Sequence, residues 1–462
     1  MFRRGGIRLL FQSQIFVLVF LPIAIGGFFL AARHIALREW LLIGASAVFY
    51  GWWDARFLPL LFGQTVLSWL VARIAGRQSR WLVPLAIAAN LGVLSLFKYA
   101  DFLVESTEAL MGMSLPRSGL ILPIGISFYT FQIISYLVDL RNGQAPVYGL
   151  RRFVLYVTFF PQLVAGPIVR HNEIMPQFDL DPWREGLAER LGRGGTLFVI
   201  GFCKKVFIAD QLAPVADAAF ASAVGGAPAL GTAWSGSLAF AFQLFFDFSA
   251  YSDMAIGLGL MMGLRLPDNF NVPYRARNIQ EFWRRWHMTL ARFLRDYVYI
   301  PLGGSRAGRA RYVAAAMITM GLCGLWHGAG WTFVAWGLMH GVGLVVCRAW
   351  GMLEIKLPHL VSWTMTMLFV LVGWVLFRSV DFVSALHMLE GMAGLGRLDA
   401  GEGWRLIAIA ALVSIIGPAS VTFALERLRP SPAYAVLAAM LLVTGLLEVG
   451  ESQPVNFIYF QF

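Results

Sequence analysis

Apolar residues fall in runs of helix length along nearly the whole chain, at about 14–32, 36–51, 57–75, 81–98, 119–138, 153–168, 195–209, 233–263, 312–326, 331–350, 361–377, 404–424 and 433–449. Short polar connections separate them, the longest being roughly 171–193 and 265–311. A helix needs about 20 apolar residues to cross a bilayer, so repeated runs of this kind predict membrane helices. Lipid offers no partner to an unpaired backbone group, which leaves helices or a closed barrel, and continuous apolar runs favour helices. A span with its connection takes roughly 35–40 residues, so the length sets an expectation of about 11–13 spans. The reading is an all-α, polytopic integral membrane protein forming a single domain over residues 1–462. The run from Ile15 to Ala32, preceded by Arg3, Arg4 and Arg8, reads as a retained first helix rather than a cleaved signal. No internal repeat is evident, which weakens an inverted-repeat transporter.

The polar connections carry the orientation signal. Arg33 and Arg38 lie between the first two runs, and Arg73, Arg77 and Arg80 between the third and fourth. Both loops fall on one side and outweigh the N-terminal arginines, so they are expected in the cytoplasm with the N-terminus outside. The segment 265–311 is the strongest charge feature. It holds ten arginines against Asp268, Glu281 and Asp296, a net +7 of the chain's +11, and reads as the principal cytoplasmic-facing surface. Within it, Asn278–Tyr297 predicts an amphipathic helix lying in the interface. Trp283, His287, Leu290 and Leu294 share one stripe, while Glu281, Arg285, Arg292 and Asp296 take the other side. Glu281–Arg285 and Arg292–Asp296 have ion-pair spacing, and His287 points inward.

Composition agrees with the pattern. Hydrophobic residues make up 58% and charged residues 14%, against about 25% charged in an average soluble domain. With a mean hydropathy of +0.67, this excludes a soluble enzyme, a disordered chain and a disulfide scaffold. The positive balance reads as positive-inside anchoring, with no nucleic acid as partner. Cys203, Cys323 and Cys347 sit in apolar runs with no paired spacing, so they offer neither a disulfide framework nor a metal site. No phosphate-binding loop or zinc-protease motif is present, and ATP hydrolysis and zinc proteolysis lose support.

Ionisable groups inside apolar runs are costly and so point to function. Of seven histidines, His34, His171, His359 and His387 sit in or beside polar connections and read as surface residues. His327 lies in Gly324-Leu325-Trp326-His327-Gly328-Ala329-Gly330-Trp331, where the glycines suggest an interrupted helix beside a cavity. An imidazole there could exchange protons near neutral pH. It could equally be a core histidine bonded to a backbone carbonyl. Cys323, four residues earlier, could pair with it as a thiolate, or could simply fill space. His340 would lie about 140° from His327 on an unbroken helix and could cooperate with it only if the chain turns between them. The run Gln243–Asp253 buries Asp247 and Asp253, either in hydrogen bonds between helices or in a polar lining that orients a histidine or arginine. Pro301–Arg306 reads as a basic turn.

Three of these motifs resemble the membrane-bound O-acyltransferases: Asp268-Asn269-Phe270-Asn271-Val272-Pro273-Tyr274, Glu281-Phe282-Trp283-Arg284-Arg285-Trp286-His287, and Leu325-Trp326-His327-Gly328-Ala329. Phe49–Trp53, Leu122–Tyr129, Leu163–Pro167 and Asp247–Met262 further resemble the branch that O-acetylates alginate in bacteria. The resemblance covers about 15–350; residues 351–462 match less well, apart from an echo in Phe457-Ile458-Tyr459-Phe460. It implies interfacial and re-entrant helices around a central funnel in the bacterial inner membrane. It also implies His327 and His287 as catalytic residues, His327 acting as general base and His287 holding the acceptor or the developing oxyanion. Asp253, Trp283, Arg284, Trp326 and Asp296 are then expected at the substrate, and no metal or permanently bound cofactor is expected. The donor would be acetyl-CoA, drawn to the arginine-rich segment. The partners would be a periplasmic or membrane-anchored polysaccharide acetyltransferase and the exopolysaccharide machinery. D-alanyl or other acyl transfer to an envelope polymer, and a flippase for a lipid-linked saccharide, stand as alternatives.

Overall fold

The computed structural model describes residues 9–75, 81–429, 431–451 and 457–458. Arg3, Arg4, Arg8, Arg77, Arg80, Tyr459 and Phe460 lie outside the described residues. Every regular element described is helical. Five helices are long and apolar enough to cross a membrane: Ile35–Ala75, Leu82–Met111, Trp331–Gly351, His359–Arg378 and Pro432–Glu451. A sixth forms if Trp404–Ile416 and Ser420–Arg427, bent by 64°, count as one. The chain is thus a multi-pass membrane protein, with fewer full-length spans among the described residues than its length suggested.

The difference has a local cause. Most expected runs are helical, but several are cut short. The run at 153–168 divides into Leu150–Thr158 and Phe160–Leu163, because Phe159 leaves the helical region at φ −53°, ψ 110° and Pro161 follows. The first run is the 15-residue helix Phe16–Leu30. Ile126–Arg141 is buried on nearly every side, so it packs against protein where a solitary span would meet lipid. Two helices, Asp210–Ser222 and Phe382–Met392, were not anticipated.

Backbone contacts divide the chain into two compact units. The first comprises Met1–Cys203, Tyr251–Pro267 and Ala424–Pro454; the second comprises Lys204–Ala250, Asp268–Phe423 and Val455–Phe462. In the first unit, polar side chains bind apolar helices to one another. The Tyr129 hydroxyl donates to Gln64 (3.2 Å), the Gln64 amide donates to Asn90 (3.3 Å), and the Asn90 amide donates to Ser68 (3.0 Å). Close approach does the same elsewhere. A Cβ on Gly194 would stand 2.8 Å from the Gly257 carbonyl oxygen.

Two sequence expectations change here. Arg38, expected in a cytoplasmic loop, is 4% exposed and begins the Ile35–Asp54 helix, donating to the carbonyls of Ala32 and Phe178. It closes backbone groups at a chain turn and is no free surface charge. His171, expected at the surface, is 1% exposed. Its Nε2 meets Asp139 (3.2 Å) and its Nδ1 meets the Tyr148 hydroxyl (3.0 Å), because the 142–149 connection folds back over it. His34 and His359 are exposed, as expected, while His387 is half-buried with its Nδ1 2.9 Å from the Ala223 carbonyl oxygen.

The second unit is organised by a helical hairpin. Arg309–His327 ends at Gly328, and the chain resumes as Trp331–Gly351 running back alongside. A Cβ on Gly324 would stand 2.1 Å from the Phe333 carbonyl oxygen, and one on Gly337 would stand 2.2 Å from that of Met320. These glycines therefore serve helix-to-helix contact, which brings backbones together in a way larger residues prevent. His359–Arg378 packs against the hairpin. Arg275 donates to the carbonyls of Ile415, Ile416 and Gly417, closing the C-terminal end of the Trp404–Ile416 segment. The arginine-rich stretch is therefore partly spent on structure.

Candidate functional site

The predicted helix over Asn278–Tyr297 is broken. The Asn278 side chain caps Ile279–Trp283 by accepting from the Glu281 amide (2.8 Å), and a second helix runs over Met288–Leu294. Between them His287 adopts a left-handed backbone at φ 43°, ψ 52°. This conformation costs an L-residue about 1–2 kcal/mol and is held only where its surroundings demand it. The expected inward stripe survives the break, since Trp283, His287, Leu290 and Leu294 are all buried. Glu281 pairs with Arg285 at 2.8 Å, and Asp296 pairs with its neighbour Arg295 at 2.6 Å.

Asn269 holds His287 in place. Its Oδ1 accepts from the Thr289 hydroxyl (2.8 Å), the Thr289 amide (3.3 Å) and His287 Nδ1 (3.0 Å), while its carbonyl accepts from the Met288 amide (2.9 Å). A backbone N–H can only donate, so the atom facing it is the side-chain oxygen, and His287 Nδ1 must carry the hydrogen. Nε2 therefore keeps its lone pair. Burial lowers this imidazole to about 3, so it is neutral at physiological pH.

His327 ends the first arm of the hairpin. Its ring centroid lies 4.9 Å from Trp326, 5.1 Å from Trp336, 5.3 Å from Phe377 and 6.4 Å from His287. The turn at Gly328–Gly330 also brings in His340, whose ring lies 4.9 Å from Trp336 and 5.4 Å from Trp283. The condition for cooperation, a chain reversal, is met. Three buried histidines thus share one aromatic cluster with Trp283, Trp326 and Trp336.

Other expected residues divide clearly. Trp283 and Trp326 are in the cluster. Arg284 is exposed on the turn, and Asp296 is half-buried in its ion pair with Arg295. Asp253 is buried at 6% and belongs to the first unit. Asp247 does belong to the second unit, but it orients a lysine where a histidine or arginine was expected. Lys205 Nζ lies 2.7 Å from Asp247 and 2.6 Å from Asp210. The other Asp247 oxygen accepts from the Ile458 amide at 2.7 Å. Cys323 is fully buried, where a thiolate would be unsolvated, and so reads as apolar filler. The expectation of an imidazole on an open cavity wall also changes. His327 is 3% exposed and His287 0%, because aromatic rings fill the space around them. Among the described residues no cluster of metal-ligating side chains occurs.

Sequence reasoning missed Asn269 and Trp336 as parts of the cluster, and Lys205 as the partner of Asp247. Asn269 had a signal, since it lies inside a motif already singled out. Lys205 had one too, as a charge at the end of an apolar run.

Comparison with known proteins bears on this geometry. Residues 114–378 match the model of the membrane-bound O-acyltransferase family. The chain is 43% identical to a probable alginate O-acetylase AlgI of Pseudomonas aeruginosa, over 85% of this chain and 76% of that one. It is 38% identical to the protein of the same name in Pseudomonas putida, over 98% and 100%. It is 39% identical to a peptidoglycan O-acetyltransferase of Helicobacter pylori, over 84% and 80%.

Proposed function

Because the chain belongs to the membrane-bound O-acyltransferase family and is an O-acyltransferase, we propose that it moves acetyl groups from a cytoplasmic thioester, acetyl-CoA, across the bacterial inner membrane. The acetyl serves O-acetylation of an exopolysaccharide such as alginate, completed by a periplasmic or membrane-anchored transferase. The names of the relatives support a polysaccharide as the final acceptor. The observation that carries the chemistry is the pairing of His327 with His287 in one buried aromatic cluster.

In this reading His327 takes the proton from an acceptor hydroxyl as its oxygen attacks the thioester carbon. A carbon–oxygen bond forms, the carbon–sulfur bond breaks, and CoA leaves as the thiolate. General-base assistance of this kind is worth about 10²–10⁴-fold. His287 has its lone pair on Nε2 and accepts a hydrogen bond from the acceptor molecule. With its hydrogen committed to Asn269, it does not serve the oxyanion, which narrows its expected role. The enclosing rings keep water from the thioester, and entry of the reactants displaces side chains of that wall.

The test is thiol release and label transfer from acetyl-labelled CoA by the purified full chain in lipid vesicles. His327→Ala should lose acetyl transfer while still inserting and folding. Transfer retained in that variant removes His327 from the mechanism, and an intact thioester with the wild-type chain overturns acetyl-CoA as the donor.

A further inference from the structure

His340 lies outside the proton transfer just described, yet its surroundings are unusual. It is fully buried, and its Nδ1 accepts from the Trp283 indole N–H at 3.3 Å. That bond assigns the hydrogen of a neutral imidazole to Nε2. Among the described residues Nε2 has no acceptor, and neither does Nε1 of the equally buried Trp336. A buried donor left unpaired costs about 1–3 kcal/mol, so two side by side need a reason.

Gly373 shows where the two donors meet. A Cβ built on it would stand 3.1 Å from His340 Nε2 and 3.3 Å from Trp336 Cδ1, the carbon bonded to Nε1. Both donors border one small space that the glycine keeps open on the His359–Arg378 helix. Trp336 packs against His340 on one side and His327 on the other, with centroids at 4.9 and 5.1 Å.

We propose that His340 Nε2–H and Trp336 Nε1–H form a two-donor site for the carbonyl oxygen of the acyl group, stabilising the oxyanion that develops there. This rests on the transfer reading above and supplies the oxyanion contact that His287 cannot make. Neutral donors fixed before reaction in a dry site suit an oxygen that gains charge in the transition state. Trp283 acts as a positioning residue, since its bond to Nδ1 sets the tautomer.

Three His340 variants separate the possible roles, each assayed as thiol release from acetyl-CoA by the full chain, with folding checked by its thermal midpoint. His340→Gln keeps an N–H near the Nε2 position, His340→Asn keeps an acceptor for Trp283 but loses that donor, and His340→Phe keeps only the ring shape. The expected result is a kcat loss of about 10²–10³-fold in the Phe and Asn variants with KM little changed, largely recovered in the Gln variant. Trp336→Phe should lose kcat on the same scale, and Gly373→Ala should block the site. Phe as active as Gln, or Asn better than Gln, overturns the donor role while leaving acyl transfer intact. A wild-type chain inert toward acetyl-CoA overturns the proposed function and this inference together.

Discussion

Asn269 Oδ1 accepts a hydrogen bond from His287 Nδ1 at 3.0 Å, across a separation of 18 residues. Both residues sit in motifs of similar spacing to those of known acyltransferases, yet nothing in a linear reading joins them. The bond decides which imidazole nitrogen carries the hydrogen.

Asn269 should therefore act through His287. Asn269→Leu leaves the Thr289 amide and His287 Nδ1 without their acceptor and is expected to lower stability by about 1–3 kcal/mol. Asn269→Asp keeps an acceptor and should retain more activity than Asn269→Leu. Thermal midpoints and thiol-release rates on the two variants check this; equal activity in both would separate Asn269 from the tautomer.

The left-handed backbone at His287 gives a second expectation. His287→Gly and His287→Ala should both lose acetyl transfer. The glycine variant should nonetheless be the more stable by about 1 kcal/mol, since glycine meets no steric penalty at φ 43°. Parallel thermal melts in one detergent measure the difference, and an alanine variant equal to the glycine variant would show that the conformation stores no strain.

The buried His287 imidazole also predicts a pH dependence. Its folded value is lowered from 6.5 to about 3, so the folded state binds fewer protons than the unfolded state between those values. The contribution to stability is fully present above about 6.5 and is lost as pH falls toward about 3. The wild-type midpoint should therefore fall more steeply than that of His287→Asn on acidification from pH 7 to 5. Superimposable pH curves for the two proteins would contradict it.

Lys205 holds the buried carboxylate of Asp247 and the half-buried one of Asp210. Lys205→Met strands Asp247 without a counter-charge, at an expected cost of about 3–5 kcal/mol. The double variant Lys205→Met with Asp247→Asn should recover part of the loss, because Asn keeps an oxygen for the Ile458 amide. Additive losses in that double-mutant cycle would mean that the two side chains are not coupled.

The apolar runs were enough to read the fold class and most helix positions, because burying or lipid-exposing a helix demands a long apolar stretch wherever it occurs. They were less able to count spans, since Phe159 and the turn near it cut a run that stays apolar throughout. His287 and His327 were legible through their motifs and the cost of buried ionisable groups. Arg284 and Asp296 were expected at the substrate by resemblance, and in the folded chain Arg284 is exposed while Asp296 pairs with Arg295. His171 was taken for a surface residue, because its partners Asp139 and Tyr148 come from a separate helix and its following connection.

Membrane residence and helical architecture follow from residue type and spacing alone, since lipid penalises every polar group locally and without regard to the rest of the fold, whereas His287 and His327 were singled out by a resemblance of motifs. The tautomer of His287, the recruitment of His340 and the pairing of Lys205 with Asp247 were decided only by the folded chain. Each depends on a hydrogen-bond or ring contact of a few ångströms between residues far apart in sequence, and such contacts exist only once the glycine-lined hairpin and its neighbours have packed.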